Sequence, residues 1–404
     1  MRGLGGLTAM AALIVLLCMP AALARESKCQ GAEEALQKAS VIRGLAVLNS
    51  VPCKIEDREG VRRYLLETIS KQLPPERLQS EELVYREIGL LPRDYDYAHG
   101  IVELYLSQIG AYYDPERNHY VMASWLSSEL QDDITIHELT HALQDQHYNL
   151  EKVIDHKVES GDYLLARAAL VEGDATFVML DYSRGKAGGS GKLSDFEVQA
   201  FTAGGVLDAA LKASTDSAPK SLQLILVFPY TSGLRFVHHL AKEKGFAGLK
   251  DAYASPPNTT EEILHPEKYL SGKRDYIEFT DEHMRGDVVS QSARRVYQDT
   301  LGEFGVSALL SSYHLERVTP SQVGAGWGGD KAALYDEAGK RIIVWRSNWD
   351  SEEDAKEFLD AYHQVLLQSY PSIKAGSPEW SPGARGNSAK ISRNGREVLV
   401  VIRL

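Results

Sequence analysis

The sequence predicts an α+β protein that is mainly helical, with a short antiparallel sheet ahead of a histidine-rich helix and a small α+β unit at its C-terminus. Three observations carry this. Apolar residues recur at helical spacing over most of residues 32–312. Within that region, "AYYDPERNHYVMA" (residues 111–123) sets aromatic and β-branched residues on either side of a turn. After Gly326 the pattern changes to hairpins flanking one amphipathic helix.

Before the first helix stands "MRGLGGLTAMAALIVLLCMPAALARESKCQ". It has Arg2, an apolar run from Leu7 to Leu17, helix-breaking Pro20 and then Ala22-Leu23-Ala24. A basic start, an apolar run and a small-x-small site make a secretory signal, residues 1–24, cleaved after Ala24. An uncleaved membrane anchor is the alternative reading. Cleavage leaves Cys29 and Cys53, and an oxidising compartment favours their pairing over two buried thiols.

Helices follow over Ala32 to Leu48 and Asp57 to Leu73, the second ending at Pro74-Pro75. "PERLQSEELVYREIGLL" and "YAHGIVELYLSQIG" read as two more. The hairpin turns at Asp114-Pro115-Glu116-Arg117-Asn118. Asp132 or Asp133 caps the next helix, which carries Ile134, Ile136, Leu139 and Leu143. Another helix covers Asp162 to Tyr182, and "SRGKAGGSGKLSD" is a surface loop. Helices resume over 195–213 and 219–243, the stretch 255–280 is irregular, and a helix over 293–312 closes the main domain, 25–320. The second domain, 321–404, holds a hairpin at Glu337-Ala338-Gly339, the helix in "SEEDAKEFLDAYHQVLLQSY" and a hairpin at Asn394-Gly395.

Composition narrows the function. The chain has 404 residues and a net charge of −12, which disfavours nucleic acid and anionic membranes as partners. The chemistry concentrates in "HELTHALQDQH", residues 137–147. On a helix, about 100° per residue sets His137 and His141 about 40° apart on one face, where two imidazoles can share a metal. Glu138 lies off that seam, where it reaches a water rather than the metal.

Two residues compete as third ligand. His147 has the spacing of a metzincin's last histidine, but Gln144 stands where a helix-breaking glycine is needed, so a continuing helix carries His147 away. Glu172 sits on a stripe of Leu165, Ala168, Ala169, Ala175, Thr176 and Met179, where a lone carboxylate is costly unless a cation meets it. A pair with Arg167 is the plainer alternative. Gly173 suggests close approach of another backbone, and Asp174 is placed to orient a ligand histidine.

HELTH followed about thirty residues on by "LVEGDAT" resembles a gluzincin, a zinc metallopeptidase with His, His and Glu ligands. More closely, the chain is similar to uncharacterised bacterial secreted neutral zinc metallopeptidase-like proteins. In these "GLLP", "YDP", "HELTHALQDQH", "ALVEGDA", "FPYTSGLRFV" and "ILHPEKY" recur in order, here over about residues 84–270. The resemblance implies a zincin-like catalytic domain with one Zn2+ held by His137, His141 and Glu172. It implies a water in the fourth position, Glu138 as its base, and a peptide or protein substrate that pairs with an edge strand within Tyr112–Met122. A His or Tyr usually steadies the oxyanion in such enzymes; Tyr230, His265 and Tyr269 are the candidates. The rival reading is a cell-envelope binding or assembly protein with a structural zinc, which would have no need of Glu138.

Overall fold

A computed structural model describes residues 29–189, 192–203, 218–369, 379–380 and 388–404. The protein is α+β and mainly helical, as expected. The leader, residues 1–24, and part of the helix expected over 195–213 lie outside the described residues. Among those described, no helix is long and apolar enough to cross a membrane.

The first layer joins the N-terminal helix to the histidine helix. Helix α1 (Ala32–Arg43) buries Ala32, Leu36 and Ala39 against Ile136, Leu139 and Leu143 of the long helix Ser128–Tyr148. The Cys29–Cys53 disulfide ties the start of α1 to strand β1 (Cys53–Glu56). That strand is too short to stand out in sequence. It pairs in parallel with β3 (His119–Ala123), which pairs antiparallel with β2 (Ala111–Asp114). The expected hairpin is therefore part of a mixed sheet in the order β1-β3-β2, with β2 at one edge.

Helices α2 (Arg58–Gln72), α3 (Pro75–Ile88) and α4 (Tyr97–Gln108) precede this hairpin. The histidine helix, α5, starts at Ser128, a turn before the expected cap. Asp132 and Asp133 lie within it and pair with Lys186 at 3.3 and 3.4 Å. After the one-turn α6 (Leu150–Val153), α7 (Gly161–Lys186) extends a turn into the stretch expected as loop. Short α8 (Asp195–Ala203) leads to α9 (Lys220–Ala254), which breaks at Gly245, where φ is 64°. Helices α7 and α9 form the second core with Leu170, Phe228, Leu234 and Val237.

The C-terminal unit differs from expectation at its start. Residues 293–312 form not one helix but strand β4 (Arg294–Asp299) and helix α13 (Gly302–Leu310), after the short helices α10 (Thr260–Leu264), α11 (Pro266–Ser271) and α12 (Asp281–Arg285). Strand β4 pairs antiparallel with β5 (Trp327–Glu337), so the sheet begins before residue 321. The alternation in "RRVYQD" is that of a strand whose partner lies some forty residues on. A one-turn α14 (Pro320–Gly324), β6 (Lys340–Trp349), α15 (Glu352–Ser369), β7 (Glu379–Trp380), β8 (Ser388–Asn394) and β9 (Glu397–Arg403) complete it. The sheet order is β4-β5-β6-β9-β8-β7.

Both faces of this sheet are covered. Leu334, Ile343 and Trp345 pack against Phe358 and Tyr362 of α15, while Tyr335, Ile342 and Val344 pack against Phe279 and Met284. Val84 and Ile88 of α3 share the first of these cores, so the two regions are joined by a common apolar layer.

Candidate metal centre

The two histidines are placed by one uninterrupted helix. Because α5 runs through Tyr148 without a break, His137 and His141 share its inward face and are 7% and 8% exposed. His147 is carried off that face, and its Nε2 meets the Ala46 carbonyl at 2.8 Å.

Helix α7 supplies the third group. Glu172 Oε2 lies 3.0 Å from His137 Nε2 and 3.3 Å from His141 Nε2, and the two histidine nitrogens are 3.2 Å apart. A tetrahedral ion with arms of about 2.0–2.1 Å has ligand atoms about 3.3 Å apart. The three atoms therefore stand at the corners of such a site, and among the described residues this is the cluster that could hold a metal ion. Arg167 does not pair with Glu172. It reaches Asn258 Oδ1 at 2.7 Å and the Val153 carbonyl at 3.2 Å.

Hydrogen bonding fixes the tautomer of His141. Gln144 Nε2 donates to the Val171 carbonyl at 3.0 Å and to Asp174 Oδ2 at 3.1 Å. Its Oε1 therefore faces His141 Nδ1, 2.8 Å away, and accepts that nitrogen's proton. This leaves Nε2 aimed at the centre of the triad. Asp174 thus acts on the histidine through Gln144 rather than directly. Its other oxygen takes Arg43 Nε at 2.6 Å in a fully buried ion pair, and the Tyr253 hydroxyl donates to Oδ2 at 3.0 Å. Gln144 was readable in sequence only as the absence of a glycine. Its place one turn beyond a ligand histidine was the available signal.

The triad is electrostatically coupled. Burial pushes His141 down, but the Glu172 carboxylate outweighs it and raises the imidazole to about 9. Burial pushes Glu172 up, and the two histidines overcome it and hold the carboxyl far below the usual range. A proton shared among buried ligands is what a divalent cation displaces. Two imidazoles and a carboxylate suit Zn2+ among several first-row metals.

Glu138 lies beside the triad. Its Oε2 accepts the Tyr113 backbone N–H of edge strand β2 at 3.0 Å. Burial raises its pKa, against the lowering effect of His137 and His141.

Tyr230 arrives from α9 through a close helix crossing. A Cβ on Gly173 would lie 2.2 Å from the Gly233 carbonyl carbon, and one on Gly233 would lie 2.1 Å from the Ala169 oxygen. Only glycine at both positions lets these backbones touch. Tyr230, one turn before Gly233, comes within 6.0 Å of His137 ring to ring. The Glu172 charge, then burial, hold its phenol protonated well above the ordinary range.

His265 and Tyr269 are not brought to the triad. His265 Nε2 pairs with Glu303 at 3.0 Å, and the Tyr269 hydroxyl donates to the Ser255 carbonyl at 2.9 Å. His265 precedes α11 and is tied to Glu303 of α13, while Tyr269 lies within α11 and packs against the second core. Tyr230 is the candidate that remains.

Two cavities meet at Glu172. One, about 560 Å3, is a cleft that also touches Tyr113, Asp114, His141 and His156. The other, about 430 Å3, runs past Tyr230, Leu165 and Leu226 toward Glu81 and Asp299.

A family described as a domain of unknown function, DUF8575, matches residues 290–403. That match spans the C-terminal sheet from β4 onward and leaves the histidine helix outside it. Neither a curated protein nor a solved structure matches the chain.

Proposed function

We propose that the protein is a zinc-dependent peptidase of gluzincin type, with a zincin-like catalytic region and His137, His141 and Glu172 as ligands. The observation that carries this reading is the tetrahedral spacing of those three atoms with Glu138 beside them. A structural site has no use for a neighbouring carboxylate that is not a ligand.

Held by His137, His141 and Glu172, a zinc ion would supply Lewis acidity toward the scissile carbonyl and lower the pKa of a water. Glu138 takes the proton of the attacking water and passes it to the leaving amine. The Tyr113 N–H fixes the carboxylate for that task. Tyr230, kept protonated by its surroundings, donates toward the developing oxyanion. The outer edge of β2, apart from the Tyr113 N–H that Glu138 holds, takes the substrate backbone as an added strand.

The Cys29–Cys53 bridge and the leader together support a secreted or periplasmic location in a bacterium. Mass analysis of exported protein should give a chain beginning at Arg25.

The decisive experiment compares wild type with Glu138→Gln. Both should bind one zinc per chain, and the variant should lose hydrolysis of a peptide library by roughly 10²–10⁴-fold. Equal turnover in both would overturn the mechanism. No cleavage by zinc-loaded wild type would favour a structural zinc in a binding protein.

A further inference from the structure

The 430 Å3 cavity has a second polar region far from the triad. Its walls include Leu104, Leu164, Leu165, Ile225 and Leu226, and beyond them lie Arg77, Glu81 and Asp299. Asp299 is 3% exposed, and its Oδ1 accepts the Gly161 backbone N–H at 2.6 Å. Gly161 begins the same helix that carries Glu172 eleven residues later. At about 1.5 Å per residue, the two ends are about 16 Å apart along that axis. That is the span of four or five residues of extended chain at about 3.3 Å each.

Charge at the far end is unbalanced. Glu81 takes the Tyr97 hydroxyl at 2.7 Å and the Tyr297 hydroxyl at 3.2 Å. Asp299 takes the Tyr85 hydroxyl at 2.6 Å and two backbone N–H groups. All of these donors are neutral, and among the described residues neither carboxylate forms an ion pair. Arg77 acts on Glu81 only from a distance, and its buried Nε has no hydrogen-bond partner. Burial, and then the neighbouring Asp299, raise the Glu81 carboxyl to about 7. Once Glu81 ionises, as pH rises through about 7, two carboxylates against one guanidinium leave a negative charge in an apolar cavity, which a positive group relieves.

The geometry points to a substrate channel that takes an apolar peptide segment and reads a cationic group four or five residues from the cleaved bond, with Glu81 and Asp299 as its recognition pair. This rests on the peptidase reading, since it places the cleaved bond at the His137–His141–Glu172 site. Apolar walls reject charge along the way, and the acid pair selects it at the end. The cation is either a lysine or arginine side chain or the substrate's own N-terminal ammonium.

Peptidyl hydroxamates test this without turnover, because the hydroxamate anchors the register at the metal. Acetylated leucine- and alanine-based peptides would carry the hydroxamate at the C-terminus, or as an N-terminal malonyl hydroxamate for the other side of the bond. Each would have lysine or norleucine at successive positions. Binding to the full zinc-loaded chain is read by calorimetry. We expect lysine at the fourth or fifth position of one series to bind at least tenfold tighter than norleucine, and no such gain nearer the hydroxamate. In Glu81→Gln that ratio should fall below threefold. A gain on freeing the N-terminus of a four- or five-residue peptide assigns the cation to the ammonium, and a gain with lysine in acetylated peptides assigns it to the side chain. Norleucine equal to lysine at every position, with no effect of acetylation, overturns the channel even if peptides are cleaved. A lysine preference without cleavage of any peptide overturns the peptidase reading and leaves the channel. Failure of every hydroxamate to bind overturns both.

Discussion

Gln144 accepts the Nδ1 proton of His141 at 2.8 Å, and its own amide is held by the Val171 carbonyl and Asp174. A ligand histidine is thereby locked in ring orientation and tautomer through an amide, with a carboxylate one step behind. The lock continues to Arg43 on α1, whose ion pair with Asp174 is wholly buried. Replacing Gln144 by leucine keeps the volume and frees the ring. Metal affinity should fall about 10- to 100-fold, measured by competition with a chromogenic chelator. An unchanged affinity would mean that packing alone orients His141.

The choice of third ligand is tested by metal content. Glu172→Ala removes one corner of the triad and leaves two buried histidines facing a hole. His147→Ala removes a surface contact with the Ala46 carbonyl and a ring contact with Tyr148, away from the triad. After dialysis against a weak chelator, the Glu172 variant should retain little zinc and the His147 variant about one ion per chain. The reverse result would replace the gluzincin reading with a metzincin-like one.

The glycine crossing of α7 and α9 sets where Tyr230 stands. In Gly173→Ala the new Cβ meets Gly233 backbone at 2.2 Å, and backbone cannot swing aside as a side chain can. The helices must part. Overpacking of this kind costs about 1–3 kcal/mol, read as a drop in Tm, and activity should fall further than stability because Tyr230 retreats. A Gly185→Ala control on the same helix meets nothing within 4 Å. It should leave both unchanged.

What could be read from sequence was whatever depended on local pattern. The turn spacing of His137 and His141 on α5, and the anomalous carboxylate of Glu172 and the packing glycine at 173 on α7, are each features of a single helix read along its own axis. The missed features depend on distant partners. Strand β4 is defined by β5 across the sheet, and Gln144 acquires its role only when α7 brings Val171 and Asp174 to it. His265 reads as an active-site residue in isolation, yet its partner is Glu303, which a motif within "ILHPEKY" cannot reveal.

Glu81 makes stability depend on pH in a defined window. Its carboxyl has an ordinary value of 4.5 and is raised in the folded protein to about 7 by burial and then by Asp299. A raised carboxyl pKa means that the folded state binds this proton more tightly than the unfolded chain. The stabilisation is therefore complete below about pH 4.5 and is lost as pH rises through about 7. At about 1.4 kcal/mol per unit, the amount lost is about 3 kcal/mol. Glu81→Gln cannot ionise, and its amide can still meet the Tyr97 and Tyr297 hydroxyls. Urea unfolding of the metal-free protein at a series of pH values isolates the effect, because the histidine triad titrates identically in both proteins. The stability difference between variant and wild type should shift in the variant's favour by about 3 kcal/mol from pH 4.5 to above pH 7. A difference that stays flat across that window would show that Glu81 is already ionised in the folded protein at pH 5, and that the Tyr97 and Tyr297 hydroxyls stabilise its charge fully.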